Sequence, residues 1–423
     1  MSLIAQPRIV EIESIPIRLP FVPSIAPWTQ LHNHDWEFIE VVRVRTDDPA
    51  ITGFGETLVY YTGEAVSDEC AAAAIGRTPL DVLTEPGLGV PLRIALYDVL
   101  GQALGAPVNE LFARPIVRDR CPISWWNTKM PPELLAEQAA DAVAAGYLSH
   151  KIKGRPWFDI REQVAAIAAV TPEEYRIDID WNSMLGSAGQ ALPVLLELQS
   201  SSRIGLFESP ISRVDTAGQA RLRAAVSLPL VEHYDAALAP TWLAQETLDG
   251  FVVSGPSPAD VFRQSDTAAS FHKEVFLQLC GSGVTTAWVA HLGSVVEAAR
   301  LPAVTAMNIY EHDLLVEPLQ IRGGHVTVPT LPGLGVTVDE ELLERLRVPR
   351  GSRPEPCRRL LTFRLGDGRT RHYVDTRQLW DDCTTNASMP VQGPGARLSI
   401  RMDDSSQDFD DLHRRAKRRP VWD

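Results

Sequence analysis

The chain has 423 residues, of which 45% are hydrophobic and 22% charged, an ordinary globular composition that is large enough for two domains. The formal net charge of −14 argues against nucleic acid or an anionic membrane as a partner. The five cysteines are scattered without a CxxC pair, which indicates a reduced, cytoplasmic chain without disulfides or a zinc site. A signal-peptide core and an apolar run of about 18 residues are both missing, so no membrane span is expected.

The N-terminal part has the pattern of an α+β domain that ends near residue 118. Alternating apolar and polar residues predict strands over 8–19, 36–46 and 51–60. Helical spacing follows over 64–75 and 90–105. Residues 21–35 are rich in proline and aromatic residues and are expected to form a loop without regular structure, which in loops of this length often indicates function.

From residue 119 to 315, short apolar runs alternate regularly with helical segments. The first run is 121–128, and the last of eight is AVTAMNIYEH at 303–312. Parallel strands joined by crossover helices are typical of a (β/α)8-type, TIM-like barrel. This barrel is therefore the predicted fold of the central region.

Three of these runs end in one carboxylate each, namely Asp180, Glu208 and Glu232, which are 28 and 24 residues apart. The spacing is close to the roughly 31 residues of one barrel unit, whose chemistry lies at the C-terminal ends of the strands. Three converging carboxylates repel one another, and a divalent cation removes that repulsion; an all-oxygen set suits Mg²⁺. The alternative is that each acid caps a helix or forms a loop salt bridge.

One unit earlier, Lys151 and Lys153 flank Ile152. Alternation along a strand places both lysines on one face. Two ammonium groups directed into a barrel lower each other's pKa, as burial also does, and a neutral lysine is a competent general base. The alternative is a pair of solvated surface lysines.

The ordered set KxK (151–153), DxN (180–182), ExP (208–210) and Glu232 resembles the enolase superfamily, on the side of mandelate racemase and muconate lactonizing enzyme. GFGE at 53–56, the segment 93–112 and the late segment 316–340 add to the resemblance, which covers roughly residues 8–350. It implies that residues 1–118, completed by about 316–350, form a capping domain on the barrel. It also implies a homo-oligomer.

The resemblance further implies that a proton α to a carboxylate of a small-molecule substrate is removed, with Mg²⁺ stabilising the ene-diolate. Asp180, Glu208 and Glu232 are then the metal ligands, Lys153 is the base, and Lys151 keeps it neutral. The implied substrate contacts are Asn182, Arg155, Glu311, Trp28 and His32. For Arg155 the alternative is a surface salt bridge, and for Trp28, His32 and His34 it is ordinary loop packing.

The second catalytic group departs from the best-known members of the family. The seventh strand carries Gln278 and Cys280 but no histidine, and the sixth carries no lysine. A one-base dehydration of a sugar acid or hydroxy-acid to a 2-keto acid therefore fits better than racemisation. His233 is the first candidate for the acid, ahead of Lys151 and Tyr234. A racemase or epimerase and a non-catalytic relative are the alternatives.

The tail at 351–423 lies outside the resemblance, and the sequence assigns it no role. RRLLTFRLG and RTRHYVDTRQLW predict a hairpin around 365–369. The polar end, with acidic residues before a basic RRAKRR, predicts a solvated, self-neutralising terminus; a nucleic-acid patch is the alternative. Separately, Gly281-Ser282-Gly283 predicts a backbone anion nest at a helix N-terminus.

Overall fold

The computed structural model describes residues 7–63, 65–355, 357–386 and 388–423. They fall into two compact units. The first unit comprises the described residues of Met1–Ala26, Asn33–Trp126 and Phe251–Arg353. The second comprises Pro27–His32, Asn127–Gly250 and the described residues of Pro354–Asp423.

The N-terminal region has the predicted α+β organisation. Its strands, which form an antiparallel sheet in chain order, are β1 (Ile9–Arg18), β2 (Phe38–Thr46) and β3 (Thr52–Leu58). Its helices are α1 (Ala26–Asn33), α2 (Asp68–Ala74), α3 (Pro79–Leu83), α4 (Val90–Leu104) and α5 (Val108–Leu111). Val42 and Val44 of the sheet pack with Leu92, Leu96 and Val99 of α4 in one buried cluster.

The glycines of GFGE allow this close packing of sheet and helix. A Cβ atom on Gly55 would lie 2.0 Å from the carbonyl oxygen of Pro91, and one on Gly53 would lie 2.3 Å from that of Ala95. Only glycine therefore lets α4 approach β3 this closely. The helix ends at Gly105, whose φ of +67° is the left-handed conformation that favours glycine.

The expectation that residues 21–35 lack regular structure is wrong. Helix α1 occupies Ala26–Asn33, and a 3₁₀ turn follows at His34–Glu37. Pro27 stands in the first turn of α1, where its missing N–H costs nothing and its fixed φ favours the helix.

The central region alternates strands and helices as predicted. After β4 (Arg120–Pro122), its strands are β5 (Trp125–Trp126), β6 (Ser149–Lys153), β7 (Arg176–Asp180), β8 (Ile204–Glu208), β9 (Leu230–His233), β10 (Gly250–Val253) and β11 (Glu274–Leu277). Its helices are α6 (Pro132–Ala144), α7 (Ile160–Val170), α8 (Ala188–Leu198), α9 (Thr216–Ala225), α10 (Ala239–Ala244), α11 (Pro258–Ser270) and α12 (Gly283–Val295). Within the second unit, β6 to β9 are parallel and lie side by side in chain order.

The eighth barrel position differs from the prediction of a full strand over 303–312. Ala303 bridges to Ile123 and Val304 bridges to Gln278, and the Thr305 carbonyl accepts a hydrogen bond from the Gly281 N–H at 3.0 Å. Ala306 then adopts a φ of +59°, and a 3₁₀ turn occupies Met307–Ile309. Extended pairing ends there because a left-handed residue cannot continue a strand.

The segment after the barrel returns to short elements in the first unit. It contains β12 (Ile321–Arg322), β13 (His325–Thr327) and α13 (Glu340–Leu346). Strand β13 pairs with β4, while Arg347 donates to Glu13 of β1 at 2.8 Å. That residues 316–350 complete the N-terminal domain stays a prediction.

The C-terminal extension is an ordered α+β module. Its elements are β14 (Arg359–Arg364), β15 (Thr370–Tyr373), α14 (Thr376–Cys383), β16 (Arg397–Met402), α15 (Gln407–Arg418) and β17 (Val421–Trp422). The strands form one sheet in the order β16-β14-β15-β17, which confirms the predicted hairpin. The terminus is not merely solvated, because α15 buries Phe409 and Ala416. Acidic and basic residues within the terminus also pair with each other, as in the Arg414–Asp411 contact at 3.0 Å.

The fold is thus a (β/α)8-type barrel with an N-terminal α+β capping domain and a C-terminal extension. Among the described residues, every helix is too short or too polar to cross a membrane.

Candidate active site

The predicted lysines and carboxylates stand in register at the ends of neighbouring strands of the second unit. Lys153 of β6 lies opposite Asp180 of β7, and Asp180 lies opposite Glu208 of β8. Glu208 lies opposite Val231, so Glu232 is one residue further along β9. Neighbouring strands are about 4.8 Å apart, so the four side chains start from one edge of the sheet.

Both lysines are turned toward the carboxylates, so the alternative of solvated surface lysines is wrong. The Lys151 side chain is only 2% exposed, and its Nζ lies 2.5 Å from Glu208 Oε2 and 4.0 Å from Asp180 Oδ2. Lys153 forms an ion pair with Asp180. Ile152 between them is fully buried on the other side of the strand.

Burial and neighbouring charges shift the ionisation of these groups. Burial lowers the pKa of Lys153, the charges of Lys151 and Arg155 act in the same direction, and Asp180 opposes them. For Asp180, burial alone would raise the pKa, but the positive charges of Lys153, Lys151 and Arg155 outweigh it and hold the pKa below its usual range. Burial raises the pKa of Glu232, against hydrogen bonds from Ser209 and the His233 N–H.

The carboxylates fit a hard divalent cation in their chemistry and strand positions. Oε2 of Glu232 and both carboxylate oxygens of Glu208 are buried without a hydrogen-bond partner, although Lys151 and His233 lie beside Glu208 as ion-pair partners. Oxygen-only ligands of this kind suit Mg²⁺. Among the described residues, however, no three His, Cys, Asp or Glu side chains are already gathered as a metal site.

Asn182 and Arg155 support the end of β7. Asn182, at a φ of +43°, donates its backbone N–H to Asp180 Oδ1 at 2.8 Å and its amide to Oδ2 at 3.1 Å. Arg155 is 1% exposed, so the surface salt bridge considered for it is wrong. Its guanidinium donates to the carbonyls of Gly154, Asp180 and Trp181 and to the Asn182 side chain. A direct contact of Arg155 with substrate stays a prediction.

His233 is the most accessible member of the group. Its Nε2 lies 3.2 Å from Glu208 Oε1, and its side chain is 30% exposed. Its backbone N–H donates to Glu232 Oε1 at 2.8 Å. The imidazole thus stands next to the carboxylates with one face open.

The first unit contains the remaining candidates. Glu311 is exposed, and its backbone N–H donates to the Pro20 carbonyl; its predicted contact with substrate stays a prediction. The predicted anion nest at 281–283 binds an anion of the chain itself. The buried Glu56 of GFGE accepts hydrogen bonds from the Ser282 N–H, the Ser282 hydroxyl and the Thr285 N–H.

Trp28 and His32 of α1 differ in their surroundings. Trp28 packs edge-on against Phe158 at 5.6 Å between ring centroids, which is ordinary core packing. His32 stacks on Trp157 and lines a cavity of about 500 Å³ in the second unit. The other lining residues are Lys129, Trp157, Thr376, Arg377, Trp380, Asp381 and Thr385.

Lys129 and the cavity lining supplied by the extension were not predicted from the sequence. Lys129 follows the first barrel strand, so the rule that identified the other strand-end residues also applies to it. Burial and the charges of Arg155 and Lys153 lower the pKa of Lys129, while Asp180 acts in the opposite direction. The lining residues of the extension could not be predicted in this way, because no local pattern in residues 376–385 indicates which surface the extension packs against.

Comparisons with known proteins identify relatives of the chain. The family model described as "Enolase C-terminal domain-like" matches residues 134–342. The chain is 24% identical over 381 residues to N-succinyl-L-Arg/Lys racemase of Bacillus cereus (79% of this chain, 95% of the relative). It is 23% identical over 377 residues to muconate cycloisomerase 1 of Pseudomonas putida (77% and 95%). It is 30% identical over 224 residues to D-galactonate dehydratase of Xanthomonas axonopodis pv. citri (46% and 57%).

Solved structures share the fold. An enolase from Mycobacterium smegmatis complexed with tartrate has a TM-score of 0.66 at 20% identity, over 81% of this chain and 91% of that one. An enolase from Thermobispora bispora complexed with magnesium and formate has a TM-score of 0.65 at 20% identity, over 80% and 92%. The family model and the curated relatives identify the chain as a member of the enolase superfamily. Its relatives are enzymes that include dehydratases, a racemase and cycloisomerases.

Proposed function

We propose that the protein is a Mg²⁺-dependent hydro-lyase that removes the proton α to a carboxylate and eliminates a β-hydroxyl group. Its substrate is a sugar acid or related hydroxy-acid, and its product is a 2-keto acid. The observation that carries the proposal is the register of Lys153, Asp180 and Glu208 on consecutive strands, with Glu232 on the next.

Asp180, Glu208 and Glu232 would hold the metal ion. Glu232 Oε2 and both Glu208 oxygens are buried without a hydrogen bond, and the oxygen-only chemistry of the set supports this role. When bound, Mg²⁺ supplies a fixed positive charge that stabilises the negative charge developing on the substrate carboxylate. Asn182 orients Asp180 through its two hydrogen bonds to that carboxylate.

Lys153 is the proposed base. It is the more accessible of the two lysines, with a side chain 14% exposed against 2% for Lys151. Burial and the charge of Lys151 both favour its neutral form, which is the form that accepts a proton. Lys151 remains paired with Glu208, and its positive charge lies next to the base.

His233 is the proposed acid that protonates the leaving hydroxyl. It stands beside Glu208 with its side chain partly open to the site, within reach of a substrate bound at the carboxylates. An elimination needs one base and one acid, and the second unit supplies both. Relatives that are D-gluconate and D-galactonate dehydratases support this reaction class.

Racemisation or epimerisation of an α-substituted carboxylate is the second candidate. The match to the N-succinyl-L-Arg/Lys racemase spans 95% of that relative, whereas the match to the D-galactonate dehydratase spans 57%.

One experiment separates the two reactions. Sugar acids, hydroxy-acids and N-acyl amino acids are incubated with the protein and Mg²⁺ in D₂O, and 2-keto acid and α-deuterium are measured together. Keto acid that is lost in Lys153→Ala is the expected result. Deuterium exchange without keto acid would replace dehydration with racemisation. Neither signal with any carboxylate, despite measurable Mg²⁺ binding, would refute both reactions for these substrate classes.

A further inference from the structure

We propose that the C-terminal extension completes the substrate pocket and that its cavity is a subsite for a second acidic group of the substrate. This group is a carboxylate or phosphate at the end remote from the reacting α-carbon. The inference rests on the proposed function, because it extends the substrate bound at the same strand ends.

The charge of the lining favours an anion. No carboxylate of a described residue lies within 4.0 Å of Lys129 Nζ, so this ammonium group is without an ion-pair partner. The other lining charges cancel, because Arg377 bonds to Asp381 at 3.0 Å. Beside Lys129, the Nε2 atom of His32 is buried without a hydrogen-bond partner. A half-buried ammonium group without an ion-pair partner and an imidazole nitrogen without a hydrogen bond match an acidic group that brings its own oxygens.

The charged groups around His32 are also positive. Burial lowers the pKa of His32, and the positive charges of Lys129, Arg155 and Arg359 lower it further. An anion placed among these groups is stabilised by all of them, whereas a neutral hydroxyl is not.

The extension is fixed firmly enough to form a binding wall. Phe363 and Leu379 of the extension share one buried cluster with Trp157, Phe158 and Met184 of the barrel loops. Polar contacts add to this docking, since Asp159 accepts from the Gly395 N–H at 2.9 Å and donates its own N–H to Ala396.

The cavity adjoins the proposed catalytic groups. Trp157 belongs to the loop that follows Lys153, and it stacks on His32 at 6.2 Å between ring centroids. Trp380 of the extension lies against the guanidinium of Arg155 at 5.8 Å, and Arg155 in turn donates to the carbonyl of Asp180. A substrate held at the carboxylates therefore reaches the cavity with its far end.

The test compares acids that differ only at the remote end. Pairs of four-, five- and six-carbon hydroxy-acids of one configuration carry either a terminal carboxylate or a terminal hydroxymethyl group. Their affinities are measured by titration calorimetry with Mg²⁺ for the wild type, Lys129→Met, Lys129→Arg and Thr376→Val. Lys417→Met, an exposed lysine of the same unit, is the control.

We expect the wild type to prefer the diacid of at least one length by about tenfold or more, the gain typical of one charge-assisted hydrogen bond. Lys129→Met should reduce this ratio to about one, and Lys129→Arg should retain most of it. No preference in the wild type, no binding of any diacid, or an unchanged ratio in Lys129→Met would overturn the proposal. An unchanged ratio in Thr376→Val would overturn the part assigned to the extension.

Failure of this subsite and failure of the proposed function give different results. α-Proton exchange that is equally efficient with monoacids and diacids would leave the reaction in place and remove the subsite. Diacid preference that depends on Lys129, without α-proton exchange in any acid, would keep the subsite and remove the reaction.

Discussion

Replacing Lys151 by methionine tests whether the carboxylates form a cation site. The substitution keeps the length and apolar stem of the side chain but removes the ammonium group from Glu208, which is fully buried. At 2.5 Å and an effective dielectric constant of 20, the attraction is about 7 kcal/mol. The desolvation of the lysine itself offsets part of it, so we expect a loss of about 3–5 kcal/mol, which is typical when one partner of a buried ion pair is removed.

The loss should depend on Mg²⁺. The variant has one positive charge fewer among three carboxylates, so a divalent cation compensates more in the variant than in the wild type. Binding to the folded state alone stabilises it in proportion to the logarithm of ligand concentration over Kd. We therefore expect the full loss in EDTA and less than half of it at saturating Mg²⁺, together with tighter Mg²⁺ binding by the variant.

Urea unfolding with and without Mg²⁺ measures the stability, and titration calorimetry measures the affinity. Lys417→Met, which removes an exposed lysine, should change neither quantity by more than about 0.5 kcal/mol. An equal loss in EDTA and in Mg²⁺ would mean that Glu208 does not face the cation. The assignment of all three metal ligands would then be withdrawn.

Three further predictions concern stability and are measured by chemical denaturation. Phe363→Ala should destabilise the protein by about 3–5 kcal/mol, because it empties the core that joins the extension to the barrel loops. Gly55→Ala should cost about 1–3 kcal/mol or more, since its Cβ would overlap the Pro91 carbonyl, whereas Gly76→Ala meets no atom and pays only for its φ of +80°. Burial raises the pKa of Asp98 to about 6. The free energy of unfolding should therefore fall by up to ~3 kcal/mol as the pH rises from about 4 to 6, because the unfolded chain releases this proton more readily. Asp98→Asn should lack this pH dependence.

The strand-end residues were predictable because the local sequence patterns and the topology of the barrel indicate the same positions. Asp180, Glu208 and Glu232 each close an apolar run, and a barrel places all strand ends at one edge. The same reasoning applies to Lys153, whose alternation with Lys151 is a property of the strand itself. Local sequence and topology agree here, so the prediction needed no information about distant contacts.

The structure differs from the predictions where it depends on contacts between distant residues or on an unusual backbone conformation. Helix α1 was predicted as part of a loop, because residues 21–35 are rich in proline and aromatic residues. The eighth strand was predicted too long, since an alternating pattern does not reveal that Ala306 takes a positive φ. The position of the extension depends on apolar contacts between residues some two hundred positions apart, such as Phe363 and Trp157, which no local pattern contains.

Arg155 connects the C-terminal extension to the proposed metal site. Its guanidinium holds the carbonyls of Gly154, Asp180 and Trp181 and the side chain of Asn182, and Asn182 holds the carboxylate of Asp180. The same guanidinium lies over the ring of Trp380, at 5.8 Å from its centroid. A change in the extension therefore reaches Asp180 through one buried side chain and one hydrogen-bonded amide. An extension that only stabilised the protein would not need this contact. An extension that binds the far end of the substrate benefits from directly supporting Asp180, the residue at the near end.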